Sequence, residues 1–276
     1  MYKTKKKILN VSLNVVTGMI VLVSLFPLYW LISTSMKSKA EAFGLPPKWL
    51  FVPDISNYAE LLHNTAFLGS LWNTFVIALC TTFFALVFGV MAGYALARNN
   101  SRSGNIMGIG IILARMIPPM GIIIPFFIIF NYFSLTDNYT SIVLIYLTTV
   151  LPFVTWLMMG FFQGVPRELE EAALIDGCNR VGTFVRICLP VVTPGIATCA
   201  MFAFMMSWNE YFYAVIMTGN NTKTASIYIQ SFVNSSGTNW GSLCAASVLV
   251  ILPILLFTIF CQKSLVRGLM GGAVKG

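Results

Sequence analysis

The chain has 276 residues, of which 57% are hydrophobic and only 9% charged, with a formal net charge of +8 and a mean hydropathy of +0.81. A soluble globular domain is nearer half apolar and a quarter charged, so this composition excludes one and requires lipid to cover the surplus. A membrane enzyme is also poorly equipped, with one histidine and no HExxH, GxSxG or His/Asp/Glu cluster in the sequence.

Six apolar stretches meet the length of about 20 residues that a membrane-spanning helix needs. The first, Ile8 to Met36, is uncharged and follows Lys3, Lys5, Lys6 and Lys7. It is too long for a secretory signal peptide and Leu31 to Met36 offers no small-x-small cleavage site, so it reads as a retained anchor. A turn-rich outer loop, Lys37 to His63, follows. The second span, Asn64 to Ala97, is uncharged and carries small residues every four positions at Ala85, Gly89, Gly93 and Ala97. Such a stripe lets another helix approach closely, either within the chain or in a second subunit.

After the short turn 98–105, the third span runs from Ser103 to Thr136 with Arg115 as its one charge. Pro118, Pro119 and Pro125 remove backbone donors there and should kink it. A tight turn at 134–138 leads to the uncharged fourth span, Asn138 to Pro166. The fifth, Ile187 to Thr222, holds only Glu210, and the sixth, Thr224 to Gln262, is again uncharged. The stretch 219–241 between them is polar enough for a small outer cap. Each span must be helical, because hydrocarbon offers backbone amides no water, and a β-barrel would show short alternating segments instead. Six spans put both termini on one side. That side collects twelve of the Lys and Arg residues against four (Lys37, Lys39, Lys48, Lys223) on the other, so both termini are expected in the cytoplasm. The whole chain, 1–276, reads as one all-α membrane domain. Its basic charge is a topology signal, and nucleic acid is not an expected partner. The six cysteines read as small apolar fillers.

Charge is concentrated in 167–190, between spans four and five, where Arg167, Glu168, Glu170, Glu171, Asp176, Arg180 and Arg186 fall. The segment reads as two short helices. Pro166 suits a helix start and the three glutamates favour its positive end. Leu169, Ala172 and Ala173 share a face, Gly177 permits a turn, and Val181, Phe184 and Val185 give a second helix an apolar side. This is a protruding cytoplasmic knob suited to a cleft in another protein. Three acids within four positions argue against a hairpin lying on the negative inner leaflet. GCNRVGT, 177–183, has the glycine spacing of a phosphate-binding loop, but Thr183 stands where the lysine is needed, so ATP turnover belongs to another subunit.

Glu171-Ala172-Ala173, three residues, Gly177, nine residues, Ile187-x-Leu189-Pro190 resembles the EAA loop of binding-protein-dependent ABC importer permeases. RMIPP at 115–119, SWNEY at 207–211 and VRGLMGGAVKG at 266–276 are similar to the maltose-type carbohydrate branch, and the resemblance covers roughly 64–276. It implies a type I importer fold, a prokaryotic cell (inner or plasma) membrane location, and a coupling role for Glu171, Ala172, Ala173, Asp176, Gly177, Leu189 and Pro190. It also implies partners: a second, non-identical permease, two cytoplasmic ABC ATPases that use the ATP, and an extracytoplasmic solute-binding protein. The chain itself is expected to bind no cofactor or metal.

Within the bilayer, Arg115 and Glu210 are costly and therefore functional candidates. Arg115 is expected about 14 Å in from the cytoplasmic end by helical rise, and Glu210 nearer the outer end. Pro118 and Pro119 break the helix beside Arg115, while Trp208 and Asn209 are expected to face a cavity. A self-sufficient secondary transporter or channel is the competing reading. That class keeps several acidic groups at mid-depth or shows repeated halves, whereas this chain offers one glutamate and no repeat.

Overall fold

A computed structural model describes the backbone of residues 2–44, 46–99, 101–234 and 237–273, and side chains between 10 and 259 except 45, 100 and 234–236. The expectations placed on the N-terminal lysines, Cys261, Lys263, Arg267 and Lys275 fall outside the described side chains. In chain order the helices are α1 (Tyr2–Ser35), α2 (Lys39–Phe43), α3 (Ser56–His63), α4 (Thr65–Arg98), α5 (Arg102–Met116), α6 (Pro119–Tyr132), α7 (Tyr139–Gln163) and α8 (Arg167–Ile175). There follow α9 (Arg180–Thr183), a π-helical turn (Phe184–Cys188), α10 (Leu189–Val191), α11 (Thr193–Trp208), α12 (Phe212–Met217) and α13 (Ala225–Gln230). A two-stranded antiparallel hairpin, β1 (Val233–Asn234) and β2 (Gly237–Thr238), precedes α14 (Trp240–Ala273) and is a small departure from an all-helical chain.

Among the described residues, four helices are long and apolar enough to cross a membrane: Asn10–Ser35, Thr65–Arg98, Tyr139–Gln163 and Trp240–Ile259. The third and fifth expected spans are instead bent pairs. α5 and α6 meet at 90°, and Arg180–Val191 meets Thr193–Trp208 at 76°. The first break follows from the proline pair. A residue before proline is pushed out of the helical region, and both Ile117 and Pro118 are extended, with ψ of 122° and 141°. Pro119 then opens α6, where its missing N–H is harmless. Pro190 has a subtler effect. It cannot donate to the carbonyl four residues back, and the Leu189 N–H bonds the Phe184 carbonyl five back, producing the π turn.

The chain forms two compact units, Met1–Leu68 with Ile229–Leu252, and Gly69–Tyr228 with Pro253–Gly276. In the first, α1 presents exposed apolar side chains such as Val11, Leu22, Val23 and Phe26 along its length. The bare carbonyls at its end are met by the buried Asn57, whose amide donates to Ser35 O (3.1 Å) and Lys37 O (3.0 Å). Lys37 is itself buried, its ammonium 4.9 Å from the Trp30 ring and 5.1 Å from Phe51.

In the second unit α7 is the centre, packed by α5, α6, α11 and α12. The small-residue stripe of α4 is used inside the chain. A Cβ on Gly89 would lie 2.7 Å from Val154 Cγ1, and one on Gly93 would lie 2.8 Å from Met158 Cβ and 2.9 Å from the Met159 nitrogen. Ala85 and Ala97 join the same core with Val154, Met158 and Phe162. A second cluster gathers Ile77, Ile142, Ile145, Tyr146 and Tyr213.

Candidate functional site

Polar networks close both ends of α4. Twenty-five residues at 1.5 Å rise separate Asn73 from Arg98 by about 38 Å, more than the hydrocarbon thickness of about 30 Å. At the Asn73 end, the Asn73 amide donates to Asn221 O (3.1 Å) and Lys223 O (3.0 Å), and Thr74 Oγ1 accepts from Ala225 N (2.8 Å). Asp137, in the left-handed region with φ of 55°, accepts from Gly219 N (2.8 Å), Asn221 N (3.0 Å), Thr222 N (2.9 Å) and Thr222 Oγ1 (2.6 Å). Partial burial pushes the Asp137 carboxyl up, but these donors outweigh it and hold it below the ordinary range. Asp137→Asn keeps the turn conformation, yet turns an NH₂ toward backbone N–H donors. A loss of about 1–3 kcal/mol is expected, read as a lower denaturation midpoint in detergent. Because the folded carboxyl is the more acidic, wild type should hold this contribution above its ordinary pKa of about 4 and lose it as pH falls further.

The Arg98 end holds the charged knob. α8, the turn, α9 and the π turn fold as two short helical pieces around Gly177, whose φ is +90°. Asn179 caps α9, its Oδ1 accepting from Gly182 N at 2.7 Å, so the glycine-spaced GCNRVGT segment is a self-capped turn. The apolar assignment differs from the sequence expectation. Of Leu169, Ala172 and Ala173 only Ala173 is buried, and it shares the inward face with Glu170; Val181 and Val185 are exposed, leaving Phe184 to pack on Tyr94 and Phe162. Glu168, Glu171, Ala172, Ile175, Asp176 and Gly177 are exposed, Leu189 is half-buried and Pro190 exposed.

Arg98 fastens this knob. Its Nε donates to Glu170 Oε1 at 2.6 Å, Nη1 to Phe162 O at 2.9 Å, and Nη2 to Val165 O at 3.0 Å. Tyr94 Oη donates to the other Glu170 oxygen at 2.8 Å. One guanidinium therefore joins the end of α4, two carbonyls at and just beyond the end of α7, and α8. Both side chains of the pair are mostly buried, at 16% and 13% exposure. Burial pushes the Glu170 carboxyl up, but the bonds from Arg98, Tyr94 and Cys188 and the Arg98 charge prevail and lower it. Sequence reasoning used Arg98 only as a topology marker; a partner 72 residues away leaves no local pattern.

The intramembrane candidates divide. Arg115, Pro119 and Glu210 line one cavity of about 270 Å³, with Thr149, Met206 and Tyr213. Arg115 lies 4.9 Å over the Phe153 ring. Glu210 sits in the gap between α11 and α12, its Oε1 accepting from Tyr213 N at 2.9 Å. Pro118 supplies the break rather than the lining. Trp208 is buried against Phe204, ring centroids 5.5 Å apart, and the exposed Asn209 donates its amide to Met205 O at 2.9 Å. Neither lines this cavity.

The chain is 32% identical over 265 residues to the diacetylchitobiose uptake system permease protein DasC of Streptomyces coelicolor, covering 95% of this chain and 96% of that one. It is 32% identical over 267 residues to the sulfoquinovosyl glycerol transport system permease protein SmoH of Agrobacterium fabrum, covering 96% and 94%. Its fold matches a chain of a bacterial ABC transporter involved in the import of the acidic polysaccharide alginate, with a TM-score of 0.80, 25% identity, and coverage of 93% and 96%. The inward-facing MetNI methionine ABC transporter shares the fold at a TM-score of 0.60 and 14% identity, covering 74% of this chain and 96% of that one. The family profile of binding-protein-dependent transport system inner membrane components matches residues 85–270, from within α4 through α14, so the knob and the cavity both lie inside it and the chain belongs to that family.

Proposed function

We propose that this permease forms half of the pathway of an ATP-driven importer for a carbohydrate or related solute, and that the 167–190 knob couples it to a separate ATPase. Each bent pair counts as one span, giving six with both termini cytoplasmic, and the chain acts as one permease domain. A second, non-identical permease completes the pore, two ATPases dock inside, and a solute-binding protein delivers cargo from outside. The permease itself binds no cofactor or metal. The carbohydrate reading is supported by relatives named for diacetylchitobiose, sulfoquinovosyl glycerol and trehalose uptake.

The observation that carries the coupling role is the division of α8. Glu170 and Ala173 are held inward, while Glu168, Ala172 and Ile175 are exposed on the other side and Glu171 is exposed at the edge of the cleft that Arg98 and Glu170 line. An ATPase that grips the outward side moves α8, and Arg98 passes that displacement to α4 and to the end of α7. Gly177 sets the turn, and Asp176, Leu189 and Pro190 carry the knob back toward α11.

Reconstitution tests this directly. Proteoliposomes holding both permeases, the ATPase and the binding protein should take up solute only with ATP. Uptake at the full rate by the permeases alone would instead identify a self-sufficient transporter.

A further inference from the structure

We infer that the cavity between the end of α1, α2 and the start of α14 is a binding site for an anionic phospholipid, with Lys37 holding its phosphate. The inference is independent of the solute carried and needs only that α1 and α14 span the bilayer. The cavity, of about 600 Å³, lies wholly within the first compact unit. Its depth follows from the helices that form it. The apolar stretch of α1 ends at Ser35 and that of α14 begins at Trp240. Lys37, Trp240 and Trp30 line the cavity, and Trp49 meets Trp30 edge-on with ring centroids 5.5 Å apart. Tryptophan gathers at the boundary between hydrocarbon and headgroups, the level of the lipid phosphates.

Lys37 is the unusual group there. It is only 3% exposed, so this chain's own atoms take it out of water. Burying an ammonium is costly unless it is paired. The Trp30 and Phe51 rings and the negative end of α1 meet part of that cost. Among the described residues, however, Lys37 Nζ makes no hydrogen bond or ion pair. The acid on the cavity wall, Glu41, is already engaged, by Lys48 Nζ at 3.2 Å and Ser38 Oγ at 3.2 Å. Thr34 Oγ1 on the same wall is also buried, with no partner among the described residues.

These groups select the ligand. Lys48 balances Glu41, which leaves the charge of Lys37 as the surplus. One phosphodiester matches that surplus and offers oxygens to both Nζ and Thr34 Oγ1. A zwitterionic lipid brings an ammonium of its own and leaves the surplus in place. Pro27, Leu31 and Leu243 add an apolar wall along which an acyl chain packs, and a free phosphate has no use for it. Basic pockets between membrane helices hold acidic headgroups by the same pairing.

The test titrates the complete transporter complex in detergent with phosphatidylglycerol, phosphatidylcholine or inorganic phosphate. Retained lipid, by native mass spectrometry, and the denaturation midpoint are read together. Phosphatidylglycerol should bind roughly ten-fold more tightly than phosphatidylcholine, as expected for one charge-assisted hydrogen bond, and should raise the midpoint. Lys37→Met should bring the two lipids to parity, and Thr34→Val should narrow the gap between them. If Lys37→Met does not assemble, Leu243→Trp, which closes the apolar side of the cavity, decides by losing the retained phosphatidylglycerol. Equal retention of both lipids by wild type overturns the proposal, as does a preference that survives Lys37→Met or Leu243→Trp. Equal stabilisation by inorganic phosphate overturns the lipid in favour of a free anion. Dissociation of the permeases in Lys37→Met, with no lipid preference in wild type, assigns the ammonium to a carboxylate of the second permease and also overturns it.

Discussion

Arg98→Ala should leave a protein that inserts but is both less stable and unable to couple. The substitution removes the cation from Glu170, which keeps its bond from Tyr94, and one donor each from the Phe162 and Val165 carbonyls, of which Phe162 keeps the Val165 N–H. Removing one partner of a fully buried pair costs about 3–5 kcal/mol. This pair is part-buried and Glu170 keeps its bond from Tyr94, so a loss of about 1–3 kcal/mol is expected, still more than a surface ion pair is worth. Arg98→Lys keeps the charge but lacks the planar fork that reaches three acceptors, so it should recover only part of the loss. Glu170→Ala should behave like Arg98→Ala, and the double variant should be less damaged than the sum of the two. Denaturation midpoints in detergent check the stability. ATP turnover stimulated by the loaded binding protein checks coupling, and normal turnover in Arg98→Ala would remove the staple from the mechanism. Because the folded Glu170 carboxyl is more acidic than usual, its contribution is complete above the unfolded pKa of about 4.3 and fades as pH falls below it.

Gly177→Val should separate folding from coupling more sharply. Nothing lies within 4 Å of a Cβ at Gly177, so the substitution makes no clash. Its φ of +90° is the obstacle. A side chain in the left-handed region costs about 1–2 kcal/mol, and a β-branched one is especially poorly accommodated. The cheapest escape is to rotate the turn between α8 and α9, which re-aims the outward side of α8 while the Arg98 staple holds its inward side. The expected result is normal membrane insertion with loss of transport-linked ATP turnover. Normal coupled turnover in this variant would refute the coupling assignment. Gly177→Asn, a residue that tolerates the left-handed region, should retain most activity.

The spans were legible because lipid imposes length and hydropathy, and the knob because charge is scarce elsewhere. Pro118 and Pro119 announced the break before α6, since a proline's effect on its neighbour is local. The gap at 209–211 had no such signal: no proline lies in SWNEY, and the short α12 begins there with Glu210 capping it. Hydropathy alone therefore carried the fifth span on to Thr222, although α11 stops at Trp208. Trp208 was expected at a cavity by its chemistry, but its position on α11 turns it to Phe204. The division of α8 was hidden for a different reason. Periodicity shows which residues share a side of a helix, but which side faces the protein depended on Arg98 and Tyr94, at the far end of another span.

Two neighbouring glutamates thus live under opposite constraints. Glu170 is locked into the permease's own architecture by Arg98 and Tyr94, whereas Glu171, one position on and chemically the same, is exposed at the edge of the cleft they line. If an ATPase docks on α8 as proposed, its exposed residues can be exchanged to suit a different motor without breaking the Arg98 staple, so specificity for the motor and integrity of the membrane domain would be free to evolve independently within nine residues of helix.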